Sequence, residues 1–336
     1  VSSRARCVDR ADVFRSLWKC GAAAVFASCG SLGVALLTGG RGLRAPDDAW
    51  TRPARILAVR LDHLGDVLFA RPCLETLKRR FPSAEITLLC SSLAAPLFRR
   101  DPFVDECLAW DAPWFQHGRA GEAERPVHEI VRELRGRRFD LGFELRGDLR
   151  HHVMLWRAGV RARVGYGITG GGFLLHKRLV LPVHRHEVER DLAAAAAVGA
   201  DDAPSCYRPI DLDAEEKRDG RNRWPAAERR VAVHAFAGDP RKRWSEGSFA
   251  ELCDALSGAG CRIALVGSSG ERAAAASLAA RCRNPVENWV GRTDLRGLAA
   301  LLLAADLFIG NDSEPGHLAV TQGTPAILPC REAREP

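Results

Sequence analysis

The chain has 336 residues, 46% hydrophobic and 27% charged, enough for two domains with separate cores and unlike a disordered or low-complexity protein. A formal net charge of +7 and a pI near 9.0 suit an anionic partner, whether nucleotide, phosphorylated glycolipid, membrane surface or nucleic acid, without choosing among them. Eleven cysteines are scattered with no Cys-x-x-Cys pair, and Cys90, Cys253 and Cys261 sit in apolar periodic runs, so the sequence argues against a disulfide frame or zinc site and for a reducing, cytosolic compartment.

Residues 1–50 differ from the rest. A segment with Arg10, Arg15 and Lys19 leads into an uncharged, Ala- and Gly-rich run from Cys20 to Gly40, closed by Arg41 and Arg44. At about 1.5 Å per residue the run just reaches across roughly 30 Å of hydrocarbon, but its glycines make a poor spanning helix. A marginal anchor, a helix lying at the membrane interface and a weakly ordered extension all remain open, and peripheral membrane contact is the expectation. Asp9 and Asp12 interrupt the basic end and disfavour a cleaved signal peptide.

From Arg55 the pattern becomes regular. Arg55–Leu61 reads as a buried strand, and Gly65-Asp66 opens a helix with Val67, Leu68, Leu74 and Leu77 on its apolar face, ending near Phe81-Pro82. Glu85–Cys90, Val104–Trp110 and Asp140–Leu145 are further strands, with helices over Val127–Arg138 and Leu149–Ala158 between them. Such alternation predicts a parallel, helix-covered sheet. Gly165-Tyr166-Gly167-Ile168-Thr169-Gly170 matches a dinucleotide fingerprint, but a strand-like run, Phe173–Val183, follows where a helix is required, so it reads as a flexible glycine loop.

Glu187–Gly199 is an alanine-rich helix, and the polar, Pro-containing 201–228 stretch reads as a linker. The first domain is therefore expected over 55–200 and a second α/β unit over 229–336. The second unit has strands at Arg230–Ala235, Cys261–Gly267, Leu307–Ile309 and Ala326–Leu328, and helices at Phe249–Leu256, Glu271–Arg281 and Leu295–Ala304. A closing helix or two is expected after the last strand, so the C-terminus reads as short.

Ile309-Gly310-Asn311-Asp312-Ser313 ends an apolar run on a glycine and capping residues, and a helical segment through His317 follows. A strand, tight turn and helix in this order place unpaired N–H groups and the positive end of a helix dipole at the carboxyl edge of a sheet, where phosphates are held. The alternative is that Asp312 or Ser313 merely caps its helix.

Four stretches, in order, carry a resemblance: Leu61-Asp62-His63-Leu64-Gly65-Asp66-Val67, Arg241-Lys242-Arg243-Trp244, Leu265-Val266-Gly267 with Glu271, and Gly310 to Ala319. With Gly291-Arg292-Thr293-Asp294-Leu295 and Gly323-Thr324-Pro325, the set resembles glycosyltransferase family nine, the lipopolysaccharide heptosyltransferases, from about Arg55 to Leu328. The resemblance implies a GT-B fold, two Rossmann-like domains facing across a cleft, with acceptor on the N-terminal side and nucleotide sugar on the C-terminal side. It implies inversion at the anomeric carbon without a metal or other cofactor, ADP-heptose as donor, and an anionic lipid A-core glycolipid as acceptor. Work at the cytoplasmic face of the inner membrane follows from it.

On that resemblance Asp66 is the proton-accepting base, with Asp62 and His63 as nearby substitutes, and the alternative is a helix-start acid favouring the dipole. Lys242 is the cation that stabilises the departing diphosphate. Asp312 and Ser313 with the following amides hold the phosphates, His317 supports that loop or touches the donor, and Glu271, just after the strand that ends at Gly267, meets the ribose hydroxyls, the alternative being an exposed acid at a helix start. Arg60, Arg146 and Arg150 lie near strand ends or helix starts and suit an anionic acceptor. Two positions depart from the family: Glu314 where glycine is usual, and Gly316 where a larger residue is. A carboxylate beside a diphosphate repels it unless turned away, which keeps open a weakened relative that binds nucleotide sugar without efficient transfer. A nucleic-acid binder has only the basic pI in its favour and lacks a helix-turn-helix, zinc or aromatic RNA-binding motif.

Overall fold

The computed structural model describes residues 43–115, 125–180, 185–204, 208–224, 229–238 and 243–329. The apolar 20–40 run and Lys242 therefore lie outside the described residues, as does the chain beyond 329. The chain divides into two compact units. One comprises the residues up to Asp62 with Phe69–Cys90 and Phe103–Ala203; the other comprises His63–Leu68, Ser91–Pro102 and the residues from Pro204 on.

The first unit holds a six-stranded, all-parallel sheet in the order β3-β2-β1-β4-β5-β6. Its strands are β1 (Arg55–Arg60), β2 (Glu85–Cys90), β3 (Glu106–Ala109), β4 (Leu141–Glu144), β5 (Ala162–Tyr166) and β6 (Lys177–Leu179). β1 is buried at every position but its first, as a strand covered by helices on both faces must be. One face packs Leu57 and Val59 of β1 against Ile130 and Leu134 of the Val127–Arg137 helix and Met154 and Leu155 of the Leu149–Arg157 helix. Full burial of each such side chain contributes roughly 1.5–3 kcal/mol.

The second unit holds a five-stranded parallel sheet in the order β11-β10-β7-β8-β9, with β7 at Arg230–His234, β8 at Arg262–Leu265, β9 at Glu287–Asn288, β10 at Leu307–Gly310 and β11 at Ala326–Ile327. Val231, Val233, Ile263 and Leu265 pack against Phe249 and Cys253 of the Glu246–Gly258 helix and Ala275 and Leu278 of the Arg272–Arg281 helix. In both sheets the chain works outward from a first strand and then returns to its other side. The order reverses between β1 and β4 in one unit and between β7 and β10 in the other, and the carboxyl ends of strands at such a switch are where open α/β sheets bind ligands.

Several elements differ from the sequence reading. The single helix expected from Gly65 to Phe81 is two, Leu64–Phe69 and Arg71–Arg80, with Pro72 in the first turn of the second, where its missing N–H costs no bond. β5 was not anticipated, since its core residues alternate with Arg163 and Gly165. Arg163 is 6% exposed and donates to the carbonyls of Leu174 and Val160, while a Cβ on Gly165 would lie 2.8 Å from the Glu144 carbonyl oxygen. The strand-like Phe173–Val183 run contributes a 3-10 turn at Gly172–Leu174 and only the three residues of β6. The glycine stretch is a structured turn: Gly170 and Gly171 take positive φ, and added Cβ atoms at Gly167 and Gly172 would meet the Arg178 side chain within 3 Å.

The 201–228 stretch contains a helix, Ala214–Asn222, opened by a capping box in which Asp213 and Glu216 exchange backbone bonds. Gly220 of that helix meets the Ala300 carbonyl of the Leu295–Leu303 helix so closely that a Cβ would sit at 2.3 Å, and Trp224 donates to the Leu301 carbonyl.

Candidate active site

The second unit's switch point is built from two strand ends. β10 stops at Gly310, where a Cβ would lie 2.6 Å from the His234 carbonyl, so only glycine lets the strands approach this closely. Asn311 then locks the turn. It is fully buried, donates Nδ2–H to the Ala235 carbonyl at 2.9 Å, and accepts from the Trp244 N–H at 2.9 Å. Trp244, whose ring packs edge-on against Phe249, thus ties the end of the Arg241-Lys242-Arg243-Trp244 motif to this turn.

Ser313 is the extended residue before the Glu314–Thr321 helix, but its side chain does not cap that helix. The hydroxyl lies 2.9 Å from His234 Nδ1 and 2.9 Å from the Asn311 carbonyl. The helix's first N–H groups are therefore not capped by this side chain, which leaves the positive end of the helix available to an anion. Asp312 and His317 are 3.7 Å apart at the same helix start, with side chains 45% and 28% exposed. Glu314 is exposed. Gly316 is buried, and a Cβ there would lie 3.1 Å from a Leu328 methyl, so Leu328 stands against the place of the family's larger side chain.

His234, at the end of β7 and 3% exposed, joins this turn to a third one. Its Nε2 lies 3.4 Å from Glu271 Oε1. Glu271 also accepts from the Ser268 N–H at 2.7 Å and the Ser268 hydroxyl at 2.8 Å, against Gly267, where a Cβ would lie 2.7 Å from Oε2. Burial disfavours the Glu271 charge, but the His234 ring and the Ser268 donors outweigh it and hold the carboxyl below its usual range. Sequence reasoning did not single out His234. The available signal was a polar residue ending an otherwise apolar strand at the first strand of a unit.

Asp66 belongs to the same compact unit as this turn. It is the third residue of the Leu64–Phe69 helix and partly exposed. The neighbouring Gly65 is buried against His317, whose ring carbon would lie 2.6 Å from an added Cβ. Through Gly65 and His317, the helix carrying Asp66 reaches the helix start carrying Asp312 and Ser313.

The first unit's switch point is charged and largely internally paired. Arg60 is 1% exposed, a departure from the expected ligand-facing placement. Its guanidinium lies 2.9 Å from Asp62, 3.1 Å from Asp191 and 3.2 Å from Glu187, and also donates to the Leu145 carbonyl. Glu144, at the end of β4, is fully buried with His151 Nδ1 at 2.9 Å and His152 Nε2 at 3.2 Å, and it accepts the Arg146, Gly147 and Asp148 N–H groups. Burial alone would raise its pKa, yet the two imidazoles pull it down to about 2.

Arg146 and Arg150 are half-exposed and stack on aromatic faces: Arg146 is 4.1 Å from the Phe115 ring centre, and Arg150 is 4.8 Å from that of Trp114. Asp148 holds Arg150 through two bonds, and Asp62 lies 3.7 Å from Arg146. Trp114 and Phe115 were not singled out from the sequence, because their role depends on arginines some 30 residues away in the chain. Among the described residues no group of three or more His, Cys, Asp and Glu side chains is arranged to hold a metal ion, and no helix is long and apolar enough to cross a membrane.

Two parallel-sheet units, each with polar groups gathered at its switch point, define the architecture of GT-B-type glycosyltransferases. The sequence matches the model of glycosyltransferase family 9 (heptosyltransferase) over residues 127–328, and the chain belongs to that family. It is 26% identical over 283 residues to lipopolysaccharide heptosyltransferase 3 of Escherichia coli (strain K12), covering 78% of each chain. Among solved structures it is similar to the family 9 glycosyl transferase of Veillonella parvula DSM 2008, with a TM-score of 0.72 at 20% identity over 82% of this chain and 80% of that one. It is also similar to E. coli ADP-heptose lps heptosyltransferase II, with a TM-score of 0.69 at 24% identity over 81% and 83%. The chain is accordingly a glycosyltransferase of the heptosyltransferase family of lipopolysaccharide core synthesis.

Proposed function

We propose that this enzyme moves a heptose from ADP-heptose to a hydroxyl of an anionic glycolipid core, inverting the anomeric centre without a metal. The observation that carries this reading is the packing of Gly65 on His317, because it puts the helix bearing Asp66 beside the helix start bearing Asp312 and Ser313. The ADP-heptose donor is supported by the likeness to E. coli ADP-heptose lps heptosyltransferase II.

In this scheme the diphosphate lies at the start of the Glu314–Thr321 helix, where its N–H groups and the Ser313 hydroxyl meet the charge that grows as the bond to the sugar breaks. Lys242, close in sequence to the anchored Trp244, supplies the cation. Asp66 takes the proton of the acceptor hydroxyl as that oxygen attacks the anomeric carbon from the face opposite the leaving diphosphate. Arg146 and Arg150, steadied on Phe115 and Trp114, meet the anionic acceptor, while Arg60 holds the sheet edge beneath them.

Asp66→Asn tests the scheme. Transfer from ADP-heptose to an acceptor core should fall on the order of 10²–10⁴-fold with ADP binding retained, and chelator should leave the wild-type rate unchanged. Unchanged transfer by the variant would remove Asp66 as base. A second reading, a nucleotide-sugar binder with little turnover, has in its favour the Glu314 carboxylate in the first turn of the phosphate helix. It predicts that ADP raises the melting temperature while wild type transfers no sugar, and that Glu314→Gly restores transfer.

A further inference from the structure

We propose that the groove between the Val127–Arg137 and Leu149–Arg157 helices is a seat for an anionic phospholipid surface. The groove has a volume of about 780 Å³. Along one wall His128, Arg132 and Arg135 follow one another at helical spacing, so three basic side chains share one face. The other wall brings Trp156, 53% exposed, and Arg157.

Two features separate this surface from an ordinary solvated helix face. The first is that its charge is not used by the fold. Arg125, just before this helix, and Arg137, its last residue, both bind Glu133, whereas the guanidiniums of Arg132, Arg135 and Arg157 have no hydrogen-bond or ion-pair partner among the described residues. The second is the lining, which is arginine, histidine, tryptophan and valine, with no carboxylate, amide or hydroxyl.

A sugar or peptide ligand needs acceptors and hydroxyl partners that this lining lacks. An acidic protein surface would match the cations but leave the indole and the valines facing polar groups. A bilayer interface supplies both halves, phosphates for the guanidiniums and a boundary of intermediate polarity for tryptophan and the arginine stems. Trp156 follows Arg150 by six residues, roughly 9 Å along the helix, so one rigid element carries both the lipid seat and the aromatic–arginine platform. The link to a lipid-borne acceptor rests on the transferase reading above; the surface itself does not.

The test is co-sedimentation of the full chain with phosphatidylcholine vesicles made with and without phosphatidylglycerol. Wild type should bind only the anionic vesicles, and the Arg132→Gln/Arg135→Gln/Arg157→Gln variant should lose roughly a hundredfold in partition coefficient, at about 1 kcal/mol for each cation near the surface. Trp156→Ala should weaken the binding that survives at raised salt, where charge is screened and indole insertion dominates. Should the triple variant melt early, quenching of wild-type tryptophan fluorescence by brominated phosphatidylglycerol, reduced in Trp156→Phe, reads the same contact. Equal binding of neutral and anionic vesicles would overturn the proposal. So would wild-type binding by a folded triple variant, which would move any membrane contact away from this groove.

Discussion

The two switch points have the same backbone geometry and opposite chemistry. At β1 and β4, arginines, carboxylates and histidines pair with one another: Arg60 with Asp62, Asp191 and Glu187, and Glu144 with His151 and His152. At β7 and β10 the frame around the helix start is made of groups that are neutral or backbone, namely Asn311, Ser313 and the strand-end carbonyls, with the His234–Glu271 pair behind it, and Asp312, His317 and Glu314 stand at its partly exposed edge. A site saturated with its own ion pairs is rigid but has little charge left for a ligand, whereas a neutral frame with an uncapped helix start stays receptive to an anion. Variants that treat the two sites alike should therefore fail in different ways.

The largest difference is expected at Glu144. Replacement by Gln turns one acceptor oxygen into a donor facing two imidazoles and the Arg146, Gly147 and Asp148 N–H groups, at a side chain that is fully buried. The loss should be about 3–5 kcal/mol of folding stability, read by urea unfolding at neutral pH. Because the folded-state pKa is depressed from 4.5 to about 2, this contribution is present above 4.5 and is lost as pH falls towards 2. The gap between wild type and variant should narrow over that range. A gap of constant size would mean that the carboxylate's charge is not what the site uses.

At the other switch point the expected effect is on ligand binding more than on folding. Ser313 Oγ touches His234 Nδ1, so His234 acts on a bound diphosphate only through the position it gives that hydroxyl. His234→Ala and Ser313→Ala should each weaken ADP binding about tenfold, near 1.4 kcal/mol for one hydrogen bond to a charged group. The double variant should cost little more than either alone, a coupling of about 1 kcal/mol by isothermal titration. Additive losses would break the link and leave His234 as a core residue.

The same contrast governs what was legible in the sequence. Apolar runs marked β1, β2, β7, β8 and β10, the runs of β8 and β10 each closing on a glycine, and the strand, turn and helix around Asp312 were readable because every part is local. Arg60 was not, because its partner Asp191 lies 131 residues on and nothing in the periodicity near Arg60 announces it. Glu271 fits its expected place beside Gly267, but its bonds run to Ser268 and His234, a contact between loops that only the sheet order β7-β8 brings together. β5 was hidden because a buried arginine and a glycine replaced the apolar pattern by which strands are recognised.

The smallest expected effect is a change of slope at Asp191, and it asks whether the first site is truly saturated. Arg60 is shared by three carboxylates, and Asp191 is the most deeply buried of them, with Oδ2 lacking a hydrogen-bond partner among the described residues. Burial raises its pKa from 3.8 to about 8, against the pull of Arg60 and with the added push of Glu187 and Asp62. A group raised in the folded state gives stability that is complete below 3.8 and lost as pH climbs through 8, because the native chain holds a proton that the unfolded chain releases. Asp191→Asn keeps the acceptor for Arg60 and removes the titration. Wild type should lose melting temperature between neutral pH and mildly alkaline pH by a few degrees more than the variant, since about 1 kcal/mol corresponds to roughly 2–4 °C in a chain of this class. Parallel curves would show Asp191 ionised throughout, leaving Arg60 to balance three negative charges and making the first switch point the more anionic of the two.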